Sequence, residues 1–309
     1  MCKVEMPDCV GLKGVGDAVY CRRNGDETLF LVTLDGSLHR AGIIRTMKLE
    51  NTRALIIDMD GVLWEGDRPM PGLVEFFQTL RTRRIPFVLA TNNASRTPEQ
   101  YLDKLSGMGV EVHREEVIGS GLAAAMYLQH RAPAGSKVFA IGEDGVRQAL
   151  LDHGFRLAEL YETDADYVVC GMDRGLNWDK LATATLNIRR GATFIGTNPD
   201  VTLPTEYGTT HGNGAVLAAL QAATGVAPII IGKPEPIMYQ MAMERLGVAP
   251  EETLAIGDRL DTDIQGAVRA GIRSIMVLSG ISSREQLAEV DYGPTWVMDD
   301  IREITAALN

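Results

Sequence analysis

The order of the apolar runs in this chain constrains its fold more than any other feature. From about residue 53, short apolar runs alternate with amphipathic segments: RALIID, GLVEFFQTLRTRR, PFVLAT and TPEQYLDKLSGMG. This alternation predicts parallel strands, because each helix carries the chain back to the start of the next strand. The same alternation returns late, as APIIIG, EPIMYQMAMERLG, TLAIGD, DIQGAVRAG and SIMVLSG. We therefore predict an α/β fold built on a parallel sheet.

The segment between these two parts has an α/β pattern of its own. Its runs are KVFAIGEDGVRQALLDHGF, DYVVCGMD, NWDKLATATLNIRRG and TFIGTNPD. We predict an inserted domain at residues 133–228, with the core formed by residues 49–132 and 229–309. Residues 1–48 contain AVYCRR, TLFLVTLDG and LHRAGIIRTMKLE, which look like short strands joined by Gly and Asp turns. We expect a small N-terminal β unit there.

Composition and charge exclude several classes of protein. Of the 309 residues, 45% are hydrophobic and 23% charged, which is typical of a globular chain. The net charge of -11 argues against nucleic-acid binding, which depends on cationic side chains. The uncharged stretch His211–Ile231 contains Asn, Gln, Pro and several Gly, so we predict a helix, a turn and a strand rather than a membrane span. Without a signal-peptide pattern or a C-x-x-C pair, we expect a reduced, cytoplasmic setting.

Two acidic residues follow predicted strands. Asp58 ends RALIID and Asp258 ends TLAIGD, and ligands of open α/β sheets bind beyond such strand ends. Two carboxylates about 4 Å apart repel by roughly 4 kcal/mol at an effective dielectric near 20, so such a cluster calls for a cation. Carboxylate oxygens suit Mg²⁺, which leaves room for a substrate phosphate. Taken alone, Asp58 and Asp60 could instead begin a turn, where Asp and Gly are common.

Three further motifs accompany DMDG in a fixed order: LATNN at 89–93, IGKPEP at 231–236 and AIGDRLDTDI at 255–264. With these motifs, residues 53–309 resemble the haloacid dehalogenase (HAD) superfamily. The large insert resembles the α/β cap of subfamily IIA, the NagD-like and para-nitrophenylphosphatase-like phosphatases. The resemblance implies a Rossmann-like, doubly wound parallel sheet with an inserted α/β cap domain. It also implies an Mg²⁺-dependent phosphatase that works through an aspartyl-phosphate.

The resemblance assigns a role to each motif residue. Asp58 is the expected nucleophile, and Asp60 the expected general acid and base. The expected metal ligands are Asp58, the Asp60 backbone carbonyl and Asp258, with Asp263 bracing the metal's waters. The expected phosphate-binding residues are Thr91, Asn92, Asn93 and Lys233.

Other reactions within the superfamily are less favoured. Dehalogenases lack the second aspartate, because halide leaves without a proton, and this chain has Asp60. P-type ATPases carry Lys after the nucleophile, where this chain has Met59. A phosphotransferase remains an alternative. So does a metal-binding or regulatory module on a HAD scaffold, since the MC opening and the VTLDGSLHRAGIIRTMKLE segment resemble CooT-like small nickel-binding proteins. In that case Cys2 is the candidate metal ligand.

The expected substrates are small phosphate esters: sugar phosphates, phosphoglycolate, nucleotides or para-nitrophenyl phosphate. A lid formed by the cap would exclude large polymers. We expect no nucleic-acid or membrane partner, and a homodimer is possible. Two cap loops, GMDRGLNWDKL and TNPDVTLPTEYGTTHGNG, are expected to face the site. Within them, we expect Trp178 to pack rather than stack on a ligand and His211 to lie in a turn. The other polar residues considered there are Asp173, Arg174 and Asn177.

Overall fold

In this computed structural model the described residues are 9–15, 18–23, 28–32, 38–43, 49, 51–205 and 207–309. Cys2, the candidate metal ligand, lies outside them. The first four ranges form an antiparallel sheet in sequential order, consisting of β1 (Cys9–Val15), β2 (Ala18–Arg23), β3 (Thr28–Val32) and β4 (Leu38–Ile43). Short connections between neighbouring strands allow this antiparallel pairing. These strands agree with a small N-terminal β unit, whose predicted limits, residues 1–48, stay a prediction.

A second compact unit, Asn51–Ala306, begins with three strands of a parallel sheet. Its first elements are β5 (Ala54–Ile57), the hairpin strands β6 (Trp64–Glu65) and β7 (Arg68–Pro69), α1 (Leu73–Arg83), β8 (Phe87–Thr91), α2 (Pro98–Gly107), β9 (Val117–Gly119) and α3 (Ser120–Gln129). Every residue of β5, β8 and β9 is buried, as expected for strands covered on both faces. A capping box between Thr97 and Gln100 fixes the start of α2.

The middle of the chain forms a second parallel sheet. Its elements are β10 (Lys137–Ile141), α4 (Asp144–Asp152), β11 (Arg156–Leu157), β12 (Tyr167–Cys170), α5 (Trp178–Arg189), β13 (Thr193–Gly196), the hairpin strands β14 (Thr202–Thr205) and β15 (Gly208–His211), α6 (Asn213–Thr224) and β16 (Ile229–Ile230). The strand order is β11-β10-β12-β13-β16. Alternate residues of β10 serve two cores: Val138 belongs to the core shared with the first sheet, and Phe139 packs in a core with residues of α5 and α6.

The last part of the chain completes the first sheet. Its elements are α7 (Ile237–Leu246), β17 (Thr253–Gly257), α8 (Gln265–Arg269), β18 (Arg273–Val277), β19 (Trp296–Met298) and α9 (Ile301–Leu308). Short helical turns lie at Arg114–Glu116, Pro250–Glu252, Leu260–Ile264 and Glu285–Glu289. The six parallel strands run in the order β19-β18-β17-β5-β8-β9. Because β17, β5 and β8 are neighbours, the residues that follow them meet at one edge of the sheet.

The predicted fold class, an α/β core with an inserted α/β cap, is confirmed. One strand differs from the sequence interpretation: APIIIG was grouped with the core, but Ile229 and Ile230 pair with Ile195 and Gly196 in the second sheet. The domain limits 49–132, 133–228 and 229–309 stay a prediction. The stretch His211–Ile231 contains helix α6 followed by strand β16, in agreement with the predicted helix, turn and strand. Among the described residues, no helix combines the length and the apolar character needed to cross a bilayer.

Candidate active site

A cavity of about 540 Å³ lies where β5, β8 and β17 end. All of the predicted motif residues line it, including those separated by two hundred positions in the sequence. The motif residues at its wall are Asp58, Asp60, Thr91, Asn92, Asn93, Lys233, Asp258 and Asp263. The hairpin after β5 and loops of the second sheet supply other parts of the wall. The site is therefore a pocket assembled from both sheets.

Lys233 is the buried cation of this cavity. Its side chain is only 3% exposed, and its Nζ donates hydrogen bonds to Asp58 Oδ1 at 2.5 Å and Asp263 Oδ1 at 2.6 Å. A third bond, 3.0 Å long, goes to the Ala90 carbonyl oxygen. Burial alone would lower the pKa of Lys233, but the two carboxylates outweigh that effect and raise it well above its ordinary value. Lys233 is therefore a fixed positive charge beside Asp58.

Three buried or half-buried carboxylates crowd together next to Lys233. Oxygen atoms of Asp58, Asp258 and Asp263 lie within 4.8 Å of one another. Burial, and then repulsion from Asp263, raise the pKa of Asp258 to about 7. Burial also raises the pKa of Asp58, against the opposing effect of Lys233. Lys233 does not balance three carboxylates, and Arg259 at the same wall already forms ion pairs with Asp200 and Asp261. A divalent cation of the type that prefers oxygen ligands therefore fits this set.

Two glycines make room for the Asp258 carboxylate. A Cβ on Gly61 would lie 2.5 Å from Asp258 Oδ2, and a Cβ on Gly280 would lie 2.0 Å from the same atom. The Ile281 backbone N–H donates a 2.7 Å hydrogen bond to Asp258 Oδ2. The backbone therefore closes around Asp258 and fixes it, which no side chain larger than hydrogen would permit at either position.

Asp60 stands apart from the three crowded carboxylates. It is exposed, and its Oδ1 accepts a 2.7 Å hydrogen bond from the indole Nε1 of Trp64, which is fully buried. The predicted metal contact of Asp60 involves its backbone carbonyl, so the side chain remains available for proton transfer. Its role stays a prediction.

The second motif lies at the end of β8. The Asn93 backbone N–H donates to Thr91 Oγ1 at 3.1 Å, which leaves the Thr91 hydroxyl hydrogen to serve as a donor. The Asn93 Oδ1 accepts bonds from the Ser95 N–H and hydroxyl, so this side chain shapes the local turn. The Asn92 Nδ2 donates to the Lys233 carbonyl oxygen at 2.8 Å and to Asp200 Oδ2 at 3.1 Å. The Asn92 side chain therefore joins three segments, and its predicted phosphate contact uses the backbone.

The first of the two cap loops contributes less to the site than expected. Asp173 accepts a 2.6 Å hydrogen bond from Lys180 Nζ, and Arg174 forms a 2.9 Å ion pair with Glu143. Both charges are thus paired with residues of the elements around the second sheet. From this loop Met172 is the side chain that reaches the cavity wall.

Three more residues considered for the cap have other positions. Asn177 caps helix α5 by accepting a hydrogen bond from the Lys180 N–H at 3.0 Å. Trp178 is 81% exposed, so the expectation that it packs is wrong. His211 lies in strand β15, paired with Thr202, rather than in a turn. In the part of the chain that the structure describes, the cavity wall includes none of Asp173, Arg174, Asn177, Trp178 and His211.

Comparison with known proteins identifies the family of this chain. A model of haloacid dehalogenase-like hydrolases matches residues 55–156, and a HAD-hydrolase-like model matches residues 230–304. An acid sugar phosphatase from Staphylococcus aureus (strain USA300) is 39% identical over 260 residues, which cover 84% of this chain and 99% of the relative. The chain belongs to the haloacid dehalogenase-like hydrolases. The predicted HAD family, with its subfamily IIA, is confirmed.

Solved structures of HAD phosphatases are similar to this chain. A 4-nitrophenylphosphatase from Thermotoga maritima is 33% identical with a TM-score of 0.79, covering 84% of this chain and 98% of the other. A glycerol phosphate phosphatase from Mycobacterium tuberculosis, solved in complex with magnesium, is 36% identical with a TM-score of 0.76, covering 84% and 77%. These relatives and the family models confirm the predicted enzyme class, a HAD-type hydrolase of phosphoric monoesters.

The HAD motifs alone did not identify a contact between the cap and the core. Asp200, in the loop after β13, lies 3.4 Å from Arg259 Nη1 in the fourth motif and also accepts the hydrogen bond from Asn92. Burial raises the pKa of Asp200, and Arg259 opposes this shift. Arg259 was visible within GDRLDTDI and Asp200 within TNPD, but nothing in the sequence indicated that they would meet.

Proposed function

We propose that this HAD hydrolase removes phosphate from small phosphomonoesters in two steps, with Mg²⁺ bound and Asp58 transiently phosphorylated. The observation that carries the proposal is the meeting of Asp58, Lys233 and Asp258 at one cavity. A carboxylate is a modest nucleophile, so most of the rate enhancement must come from its position and from charge neutralisation. The contacts of Asp58 supply both.

In the first step an Asp58 oxygen attacks phosphorus and forms an O–P bond. The bond from phosphorus to the ester oxygen breaks, and Asp60 gives its proton to that oxygen as it departs. In the second step a water attacks the same phosphorus and gives a proton to Asp60. The O–P bond to Asp58 then breaks, which releases inorganic phosphate and restores both carboxyl groups. Such proton transfer contributes typically about 10²- to 10⁴-fold.

Lys233 and the second motif act on the phosphoryl group. Lys233 holds Asp58 Oδ1, so the other Asp58 oxygen is the one left to attack. Its positive charge also offsets the charge that phosphate adds to an already acidic cavity. The Thr91 hydroxyl and the backbone N–H of Asn92 are the proposed donors to the phosphoryl oxygens, with Asn93 beside them.

The residues that would hold Mg²⁺ are Asp58, Asp258 and the Asp60 backbone carbonyl. Asp263 already accepts hydrogen bonds on both oxygens, from Lys233 Nζ at 2.6 Å and from the Arg259 N–H at 3.1 Å. This supports the role of Asp263 as a brace for metal-bound water rather than as a direct ligand. When bound, the ion neutralises carboxylate and phosphate charge and helps to align the phosphoryl group for attack.

The substrate class follows from the size and composition of the cavity. A space of about 540 Å³ suits a small ester and is too small for a polymer. Its wall beyond the motif residues includes the neutral side chains of Asn198, Thr202 and Ser279. The Asn198 amide is bound to Asn92 and Asp200, whereas the Thr202 and Ser279 hydroxyl oxygens can accept a hydrogen bond from a substrate hydroxyl. Together with the named activities of the relatives, this supports sugar phosphates, glycerol phosphate and para-nitrophenyl phosphate, followed by phosphoglycolate and nucleotides.

The test is phosphate release from a panel of these esters, with Mg²⁺ and with excess chelator. We expect turnover that requires the metal and is lost in Asp58→Asn, which keeps the shape of the side chain but not its nucleophilic charge. Turnover that persists in chelator, or that survives Asp58→Asn, would contradict the proposal. Transfer of phosphate to an added alcohol in preference to water would favour the phosphotransferase alternative.

A further inference from the structure

The turn that follows Asp58 places an indole ring directly against Asp60. The Leu63 N–H donates to the Met59 carbonyl at 2.8 Å, and the Gly61 N–H donates to the Trp64 carbonyl at 2.8 Å. These bonds fold the turn back, so that Trp64 Nε1 donates to Asp60 Oδ1 at 2.7 Å. The indole is fully buried while the carboxylate is exposed. A rigid buried donor therefore holds a side chain that would otherwise rotate in solvent.

Lys104 contacts the face of the same indole. It lies on helix α2, its side chain is 13% exposed, and its Nζ is 4.5 Å from the centroid of the Trp64 ring. The ammonium also donates a 2.7 Å hydrogen bond to the Gly66 carbonyl in the hairpin between β6 and β7. A cation over an indole face attracts it, most strongly when both are shielded from water. Helix α2 thus fixes the hairpin, the hairpin fixes Trp64, and Trp64 fixes Asp60.

We propose that Trp64 is a positioning residue for proton transfer, which holds Asp60 so that Oδ2 is the oxygen that gives and takes the proton. This inference rests on the proposed role of Asp60 as the general acid and base. The indole N–H has no acceptor capacity, so it occupies Oδ1 in both protonation states of the carboxyl group and leaves the proton on Oδ2. Proton transfer requires heavy atoms about 2.6–3.2 Å apart, a distance that a freely rotating carboxylate would satisfy only part of the time.

The proposal predicts a dependence on the leaving group. A phosphate ester with a weakly basic leaving group, such as para-nitrophenolate, loses it with little help from an acid. An ester with a more basic leaving group needs the proton of Asp60 as the bond breaks. The ratio kcat/KM reports the steps up to the first irreversible one, so the later hydrolysis of phospho-Asp58 does not enter it. Loss of the indole N–H should therefore lower kcat/KM more as the leaving group becomes more basic.

The experiment measures kcat/KM of Trp64→Phe with para-substituted phenyl phosphates of similar size, from para-nitrophenyl to para-methoxyphenyl phosphate. Phenylalanine keeps an aromatic ring against Lys104 but removes the donor. We expect kcat/KM to fall by about tenfold or more for the most basic leaving group, which corresponds to the loss of one hydrogen bond to a charged acceptor. For para-nitrophenyl phosphate the fall in kcat/KM should be much smaller. Trp296→Phe is the matched control, since Trp296 also has a cation over its ring, Arg273 at 5.7 Å, and lies in β19. Trp296→Phe should not lower kcat/KM more for one phenyl phosphate of the series than for another.

A double variant separates positioning from direct contact with substrate. In the Asp60→Asn background, adding Trp64→Phe should change kcat/KM no further, because Trp64 acts through Asp60. A further loss in that background, or an equal loss across the whole phenyl series, would overturn the proposal. If Trp64→Phe does not fold by circular dichroism, replacing Trp64 with its benzothiophene analogue, which puts sulfur in place of the indole N–H and keeps the ring shape, supplies the same test, and an equal loss for all esters again overturns it. The proposed function is tested separately: if the wild type turns over phosphate esters and Asp58→Asn does not, the proposed function stands whether or not the Trp64 variants behave as expected.

Discussion

Gly280→Ala should weaken the binding of Mg²⁺ without removing any proposed ligand. The added Cβ would lie 2.0 Å from Asp258 Oδ2 and 2.4 Å from Asp258 Cγ, well inside van der Waals contact. Asp258 cannot retreat freely, because its Oδ2 accepts the hydrogen bond from the Ile281 N–H. Either the carboxylate or the loop must move. Such overpacking costs about 1–3 kcal/mol of unfolding free energy, and misplacing the support of a metal ligand typically costs about 10- to 100-fold in metal affinity or activity.

The assay is para-nitrophenyl phosphate hydrolysis as a function of Mg²⁺ concentration. We expect the Mg²⁺ concentration for half-maximal activity to rise by about 10- to 100-fold, with part of the activity recovered at high Mg²⁺. Gly293→Ala is the matched control: a Cβ there meets no atom within 4 Å, so its Mg²⁺ dependence should equal that of the wild type. If Gly280→Ala also keeps the wild-type Mg²⁺ dependence, Asp258 does not bind the metal in the position described.

Three other variants test separate parts of the structure. Lys233→Met should abolish turnover. Because it leaves buried carboxylates unpaired, it should also lower the unfolding free energy by about 3–5 kcal/mol, measured by urea titration with chelator present. An unchanged unfolding free energy would contradict the buried ion pairs. Asn187→Leu should lower the unfolding free energy by about 1–3 kcal/mol, since the Ala165 N–H loses its 3.0 Å acceptor in a buried site, while kcat per folded molecule stays the same. Trp178→Ala should change KM by less than about twofold, because this exposed side chain is outside the cavity; a larger change would place it on the substrate.

The sequence was sufficient for the parts of the site that depend on strand ends. Asp58 and Asp258 each follow a short, fully buried strand, and parallel strands bring such residues to one edge. Lys233 could be assigned because its motif lies at the expected place in the chain. These inferences use local patterns and a single topological rule, so they required no knowledge of side-chain packing.

Contacts between distant segments were not predictable in the same way. The hydrogen bond from Trp64 to Asp60 depends on the direction in which one turn folds, and the approach of Asp200 to Arg259 depends on how the cap loop meets the core. The two-residue strand Ile229–Ile230 carries too little pattern to show which sheet it joins. Trp178 was expected to pack because large aromatics usually do, yet it begins helix α5 on the solvent side.

The central claim is that Asp58 itself becomes phosphorylated during turnover. Rapid acid quenching of the enzyme with substrate and Mg²⁺, followed by peptide mass spectrometry, tests it directly. Asp60→Asn should be included with para-nitrophenyl phosphate as substrate, because that leaving group needs little acid help and slower hydrolysis of the intermediate would then increase its yield. A phosphoryl group on the peptide that contains Asp58, absent from Asp58→Asn, is the expected result. Full turnover with the phosphoryl group on another residue, or with none on Asp58 at any time, would contradict the account.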